Sequence, residues 1–427
     1  MMNRPAPRNP WSWNPSLYFA EGIPYVIVMT VSVIMYKKLG ISNTDIAFYT
    51  SWLYLPWAVK PIWSPLVDMF LTKRIWIVAM QLLISAALFG MVFAIPASSF
   101  LVLTVAVFAV MAFSSATHDI AADGFYMLGL NEQQQAAFVG IRTTFYRIAM
   151  IAGQGALVVL AGILEPYIGI PRAWSVTFLA VAAVFAILCL YHRLILPYPS
   201  MDKSTLKDRS NGWMEEFIHT FVIFFKRKEI WIILLFLLFY RFAEAQLVKL
   251  VSPFLLDSRD QGGLGLTTSE VGLVYGTVGI IALTAGGLLG GYVISKKGLR
   301  WWLWPMVIIM HTPDVMFVYL SYVQPTNLLF INIAVALEQF GYGFGFTAYS
   351  MYMIYVSQGE YKTAHFAICT GIMALGMMLP GMVSGKIQEL IGYQHFFLWV
   401  MLSTLPGFLV AALVKIDPEF GMKKVEA

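Results

Sequence analysis

Runs of about 20 predominantly apolar residues, the length that crosses roughly 30 Å of hydrocarbon at 1.5 Å per residue, recur along almost the whole chain. They begin near Asn14, Thr44, Ile75, Ser99, Ala136, Trp174, Ile230, Thr268, Trp302, Asn327, Thr363 and Tyr393, and predict about twelve membrane-spanning helices. The one long polar break runs from Tyr198 to Lys228, carries MDKSTLKDRSNG and ends in the basic run KRK. It leaves about six spans on either side, so the predicted organisation is an N-terminal six-helix bundle over 1–197, a cytoplasmic linker over 198–229 and a C-terminal six-helix bundle over 230–427. Loops elsewhere are short, which makes successive spans antiparallel neighbours.

Composition agrees with an all-α polytopic membrane protein. Of 427 residues, 59% are hydrophobic and only 12% charged, and the mean hydropathy of +0.72 lies outside the range of soluble domains. The start, MMNRPAPRNPWSWNP, is Pro-rich and lacks a small-residue cleavage site, so the first span is expected to be retained. Placing both termini in the cytoplasm puts Lys73, Arg74, Arg193, Lys203, Lys207, Arg209, Lys226, Arg227, Lys228, Lys296, Lys297, Arg300 and Lys362 on one side; the other holds mainly Lys37, Lys38, Arg172, Arg259 and Lys386. The net charge of +5 then reflects inside-facing anchors, and nucleic acid drops out as a partner. Cys189 and Cys369 sit far apart in different spans and imply no disulfide framework. No cofactor motif, metal-ligand cluster or Walker sequence is readable, so an ion gradient is the expected energy source.

The informative positions are charges inside apolar runs, because hydrocarbon tolerates an ionisable group only where protein or water surrounds it. Glu21, Lys60, Asp119, Asp123, Arg142, Arg147, Arg241, Glu244, Lys249 and Glu338 are of this kind. Asp119 and Asp123 are four apart and share a helix face, where two carboxylates disfavour double ionisation. They are the candidate proton-coupling residues; the competing reading is a static network with Arg142 or Arg147. Glu21, Lys60, Arg142, Arg147, Arg241, Glu244 and Glu338 are candidate substrate contacts. Arg241 and Glu244 either neutralise one another or leave the guanidinium to hold a carboxylate or phosphate. Tyr349 and Tyr352, at helical spacing, are either platforms for sugar rings or packing aromatics. His118 and Asp123 also spell H-x-x-x-x-D, a spacing used by lipid acyltransferases. GYGFGF (Gly341 to Phe346) and GGLLGG (Gly286 to Gly291) follow no strand and are expected to let helices approach closely, while Pro380 is expected to kink its span.

Two turns at corresponding places in the halves, PLVDMFLTKR (Pro65 to Arg74) and GGYVISKKGLR (Gly290 to Arg300), resemble degenerate copies of the G-x-x-x-D-R-x-G-R-R loop of the major facilitator superfamily. They make Asp68, Lys73 and Arg74 candidate gating or structural residues. LYFAEGIP (Leu17 to Pro24), LPWAVKPIWSPLVD (Leu55 to Asp68), ATHDIAAD (Ala116 to Asp123) and YRIAMIAGQG (Tyr146 to Gly155) resemble the AmpG muropeptide permeases, in the peptide and acetyl-coenzyme A transporter branch of that superfamily. Enteric members are longer. The two-bundle layout of spans predicts a non-enzymatic secondary transporter, expected to be a monomer, and the resemblance implies a major facilitator fold and a permease of the bacterial inner membrane. It would use protons to import N-acetylglucosamine-anhydromuramyl peptides for cell-wall recycling, with Lys60, Asp68, Asp119, Asp123 and Arg147 as family positions. The alternatives are another anionic solute, such as an acyl-coenzyme A or a siderophore, and the lipid acyltransferase.

Overall fold

The computed structural model describes residues 8–203, 213–359 and 361–422. Helix α1 covers Pro10–Lys38 and α2 is broken into Asn43–Trp52 and Leu55–Phe70. Then follow α3 (Lys73–Ala94), α4 (Phe100–Gly129), α5 (Gln133–Ile168) and α6 (Ile170–Ile195). An amphipathic helix, α7 (Trp213–Phe225), precedes α8 (Ile230–Leu256), α9 (268–297), α10 (299–323), α11 (Leu328–Val356), α12 (362–391) and α13 (393–413). Nine helices among the described residues are long and apolar enough to span a membrane. Two of those runs each contain one non-helical glycine that divides them, and the broken α2 adds another, which gives the expected twelve.

The dividing glycines reveal a three-helix repeat. Gly298 (φ 76°, ψ 163°) joins α9 to α10, and Gly392 (φ 75°, ψ 166°) joins α12 to α13. Gly169 (φ 79°, ψ 156°) joins α5 to α6. This conformation is open essentially to glycine alone, and each corner links the second and third helices of a triplet. The first triplet turns differently. Thr72 caps α3 by accepting from the Ile75 N–H, and the Asp202 carboxylate accepts from the backbone N–H groups of Lys73 and Arg74 at 2.6 and 3.1 Å.

Contacts divide the chain into two compact units, residues 1–32 with 59–213, and residues 33–58 with 214–427. The division falls inside α1 and α2, so the α1–α2 corner groups with the second unit, whereas the sequence pattern grouped it with 1–197. In the first unit α1 packs on α4 and α5, and α3 on α4 and α6. Wide π-type turns at Ile27–Val31 and Ile151–Leu157 meet where α1 crosses α5. In the second unit α9 packs along α11, and α8 and residues 43–52 pack on α12. The glycine-rich stretches act as expected in helix packing: a Cβ on Gly343 would stand 2.0 Å from the Leu283 carbonyl oxygen, and one on Gly286 2.1 Å from that of Phe340.

Candidate functional site

The first unit gathers five of the singled-out charges into one network. Glu21 comes from α1, Lys60 from the second segment of α2, Asp119 and Asp123 from α4 and Arg142 from α5. The one-turn spacing in α4 aims both aspartates the same way. Lys60 Nζ pairs with Asp119 Oδ2, and Arg142 Nη2 pairs with Asp123 Oδ1 at 2.7 Å. The Tyr18 hydroxyl donates to the same Asp123 oxygen at 3.3 Å, and the Arg142 guanidinium covers the rings of Tyr18 and Tyr126 at 4.5 and 5.1 Å. Glu21 is 6% exposed and faces the same charge network, and its Oε2 has no partner. Fully ionised, three carboxylates face two cations. Arg147 stands apart, half-buried, and donates to the Met150 sulfur at 3.5 Å.

A neutral chain of side chains runs beside this network. Ser16 Oγ lies 2.9 Å from His192 Nε2, His192 Nδ1 lies 3.0 Å from Gln81 Oε1, and Gln81 Nε2 lies 3.0 Å from His118 Nε2. With the Gln81 amide so oriented, His192 donates from Nδ1 and His118 accepts at Nε2. His118 is thereby committed to Gln81 while Asp123 is committed to Arg142 and Tyr18. Five residues apart, the two point to different sides of α4 and form no acid–base dyad.

The second unit separates Arg241 from Glu244. The α8 helix breaks at Tyr240–Arg241, and the guanidinium donates to the Tyr342 hydroxyl and covers the rings of Tyr342 and Phe346 at 5.2 and 4.8 Å. Glu244 instead joins Glu338 of α11 and Asp314 of α10, all buried, with carboxylate oxygens within 4.8 Å of one another. Lys249, 2% exposed, donates to Thr50 Oγ1 at 2.9 Å and lies 5.0 Å from the Tyr54 ring centre. Among the described residues no carboxylate lies within 4.0 Å of the cationic groups of Arg147, Arg241 or Lys249. Tyr349 is a packing residue: it is fully buried, its hydroxyl donates to the Leu237 carbonyl at 2.6 Å, and its ring stacks on Phe236. Tyr352 sits in the same apolar core, with its edge on a cleft of about 270 Å³ beside Arg227 and Glu229.

Lys73 and Arg74 hold the end of the first unit together. Arg74 donates to the Arg193 and Leu196 carbonyls at the end of α6 and lies 4.0 Å from the Tyr198 ring centre. The aliphatic stem of Lys73 fills the space over Gly124. The Asp68 side chain lies outside the described residues. Arg227, between α7 and α8, plays the part of Arg74 in the second unit by donating to the Val356 and Gln358 carbonyls; burial holds its guanidinium below the ordinary value. The sequence reading missed a further cluster. Lys37 Nζ lies 2.6 Å from Asp257 Oδ1 and 2.8 Å from Asn43 Oδ1, Tyr393 donates to Asp257 Oδ2 at 2.6 Å, and Asn43 donates to Gln388 and Tyr393. These polar residues at span ends looked like ordinary interfacial positions, and only Lys37 carried a signal.

Residues 16–359 match the Major Facilitator Superfamily. The putative transporter AmpG 4 of Rickettsia conorii is 27% identical over 413 residues, 92% of this chain and 94% of that protein. The anhydromuropeptide permease of Escherichia coli K12 is 26% identical over 419 residues, 95% of this chain and 79% of its own length. Among solved structures, a D-xylose-proton symporter superposes with a TM-score of 0.72 at 10% identity, covering 94% of this chain and 95% of that one. The nucleoside transporter NupG gives 0.67 at 19%, covering 95% and 98%. Helix count, repeat and sequence kinship agree: this multi-pass membrane protein belongs to the Major Facilitator Superfamily and is an AmpG-like permease.

Proposed function

We propose that the chain is a proton-coupled importer of N-acetylglucosamine-anhydromuramyl peptides, sited in the bacterial inner membrane with both termini cytoplasmic, and that it serves cell-wall recycling as a monomer. The observation that carries the coupling is the burial of Glu21, one oxygen unpartnered, in a network of three carboxylates and two cations. One proton neutralises the whole network. Taking up and releasing that proton changes the charge of the network by one, which is the change a symporter must link to its conformational cycle.

The cargo assignment rests on kinship with the anhydromuropeptide permease, and the chemistry of the free cations supports it. Lys60 and Arg142 are occupied by aspartates, so among the candidate residues Arg147 in the first unit and, taken separately, Arg241 in the second are each a guanidinium open to a carboxylate. The aromatic surround of Arg241 offers an apolar face beside that charge, as a glycopeptide requires. Uptake of labelled N-acetylglucosamine-anhydromuramic acid into vesicles containing the protein, with and without a protonophore, tests both parts. Protonophore-sensitive accumulation is expected. Accumulation indifferent to protonophore overturns the coupling, and no uptake by folded protein overturns the cargo, turning the search to other anionic solutes.

A further inference from the structure

The acidic cluster of the second unit is not explained by peptide binding or by proton coupling in the first. Glu244, Asp314 and Glu338 are 3%, 2% and 1% exposed. Neither oxygen of Asp314 has a hydrogen-bond partner, and Glu338 is bonded through one oxygen, which accepts from Gln339 Nε2 at 3.0 Å. An independent observation points into the same place. His311, 2% exposed, has both ring nitrogens unpartnered, and its Nδ1 lies 3.6 Å from Asp314 Oδ2. The backbone is specialised here as well. Helix α10 is interrupted by a 3-10 turn at Thr312–Asp314, with Pro313 removing an N–H, and the turn sets His311 and Asp314 against each other.

We infer that Glu244, Asp314 and Glu338 form a divalent-cation site that ties α8, α10 and α11 together, with His311 set against Asp314 from outside the donor group. Three oxygens within 4.8 Å of one another can all reach one ion at bonds of about 2.0–2.6 Å. His311, with Nδ1 3.6 Å from Asp314 Oδ2, is placed to orient that carboxylate from behind rather than to reach the ion itself. Charge favours a divalent ion: three buried carboxylates carry three negative charges when ionised, which a divalent ion offsets more fully than a monovalent one. Carboxylate oxygens favour hard cations such as Mg2+, Ca2+ and Mn2+, of which Mn2+ is the paramagnetic probe.

The full-length protein, purified, stripped with chelator and dialysed, is titrated with Mn2+ alone while free Mn2+ is followed by electron paramagnetic resonance and unfolding by a thermal scan. One ion bound per chain and a raised midpoint are expected. Glu338→Gln and Asp314→Asn should each weaken binding at least tenfold, yet match or exceed the wild type in metal-free thermal midpoint, because each removes a like charge from the cluster. His311→Ala should weaken Mn2+ binding less than either carboxylate substitution does. Absence of bound Mn2+ on the wild type at millimolar concentration, or binding unchanged by both carboxylate substitutions, overturns the site and leaves the carboxyl groups sharing protons instead. The readout is binding, so it is independent of the cargo and coupling.

Discussion

Arg142 on α5 and Asp123 on α4 form a 2.7 Å ion pair in which the guanidinium also lies over the rings of Tyr18 and Tyr126. A flat, stacked guanidinium is not replaceable by an ammonium. Arg142→Lys keeps the charge and loses the stacking, so gradient-driven uptake should fall about tenfold while thermal stability moves little. Asp123→Asn should reduce uptake further, because it removes an ionisable member of the network. Uptake rates normalised to folded protein check both, and wild-type rates in Arg142→Lys would show that only charge matters at this position.

The chain Ser16–His192–Gln81–His118 makes a separate prediction about stability. Gln81→Leu removes an acceptor and a donor at once and leaves a nitrogen of each histidine buried without a partner. Each such orphan costs about 1–3 kcal/mol. A clear drop in thermal midpoint is expected, with uptake per folded molecule nearly unchanged because the chain touches none of the ion pairs. Loss of uptake in protein of normal stability would instead assign the chain to proton movement.

How much of this was legible depended on whether partners lay on one helix. The i, i+4 spacing of Asp119 and Asp123 is local, so their common face could be read from the sequence. That Lys60 pairs with Asp119 and that Glu21 joins the same network could not, since three helices meet there and their rotations are set by packing. Arg241 and Glu244 show the limit of local reasoning: their spacing suggests a pair, yet the break in α8 sends one to Tyr342 and the other to Asp314. Asp314 itself was passed over because it follows Pro313 in a stretch that reads as an ordinary span. Tyr349 was legible as an aromatic at helical spacing, but its hydroxyl goes to a backbone carbonyl exposed by that same break.

The contact between α9 and α11 predicts a sharp positional contrast. On Gly343 a Cβ would meet the Leu283 carbonyl oxygen at 2.0 Å, whereas on Gly291 it would meet nothing within 4 Å. Backbone cannot yield as a flexible side chain can, so Gly343→Ala must push two helices apart, at a cost of about 1–3 kcal/mol or more. Gly291→Ala should be neutral or slightly stabilising through helix propensity. Thermal scans of the two variants in one detergent test it; equal midpoints would mean the helices do not approach as closely as described.

Lys60 and Asp119 allow the network to be tested as a unit. Removing Lys60 leaves Glu21, Asp119 and Asp123 facing Arg142 alone, while removing the Asp119 charge leaves two carboxylates facing two cations. Pairwise bookkeeping predicts equal damage from either change, since each breaks the same ion pair. Cluster bookkeeping predicts that Lys60→Met is severe, approaching the roughly 3–5 kcal/mol of an orphaned buried charge, and that Asp119→Asn is mild. Part of that cost is relieved because both side chains keep about a fifth of their surface exposed, at 21% and 20%. The double variant Lys60→Met/Asp119→Asn should recover most of the lost thermal midpoint, since one carboxylate is withdrawn along with the cation. Coupled uptake should not recover, because an ionisable member of the proposed proton-carrying network is gone. Equal midpoints for the two single variants would refute the network as a charge-balanced unit and leave Lys60–Asp119 an isolated pair.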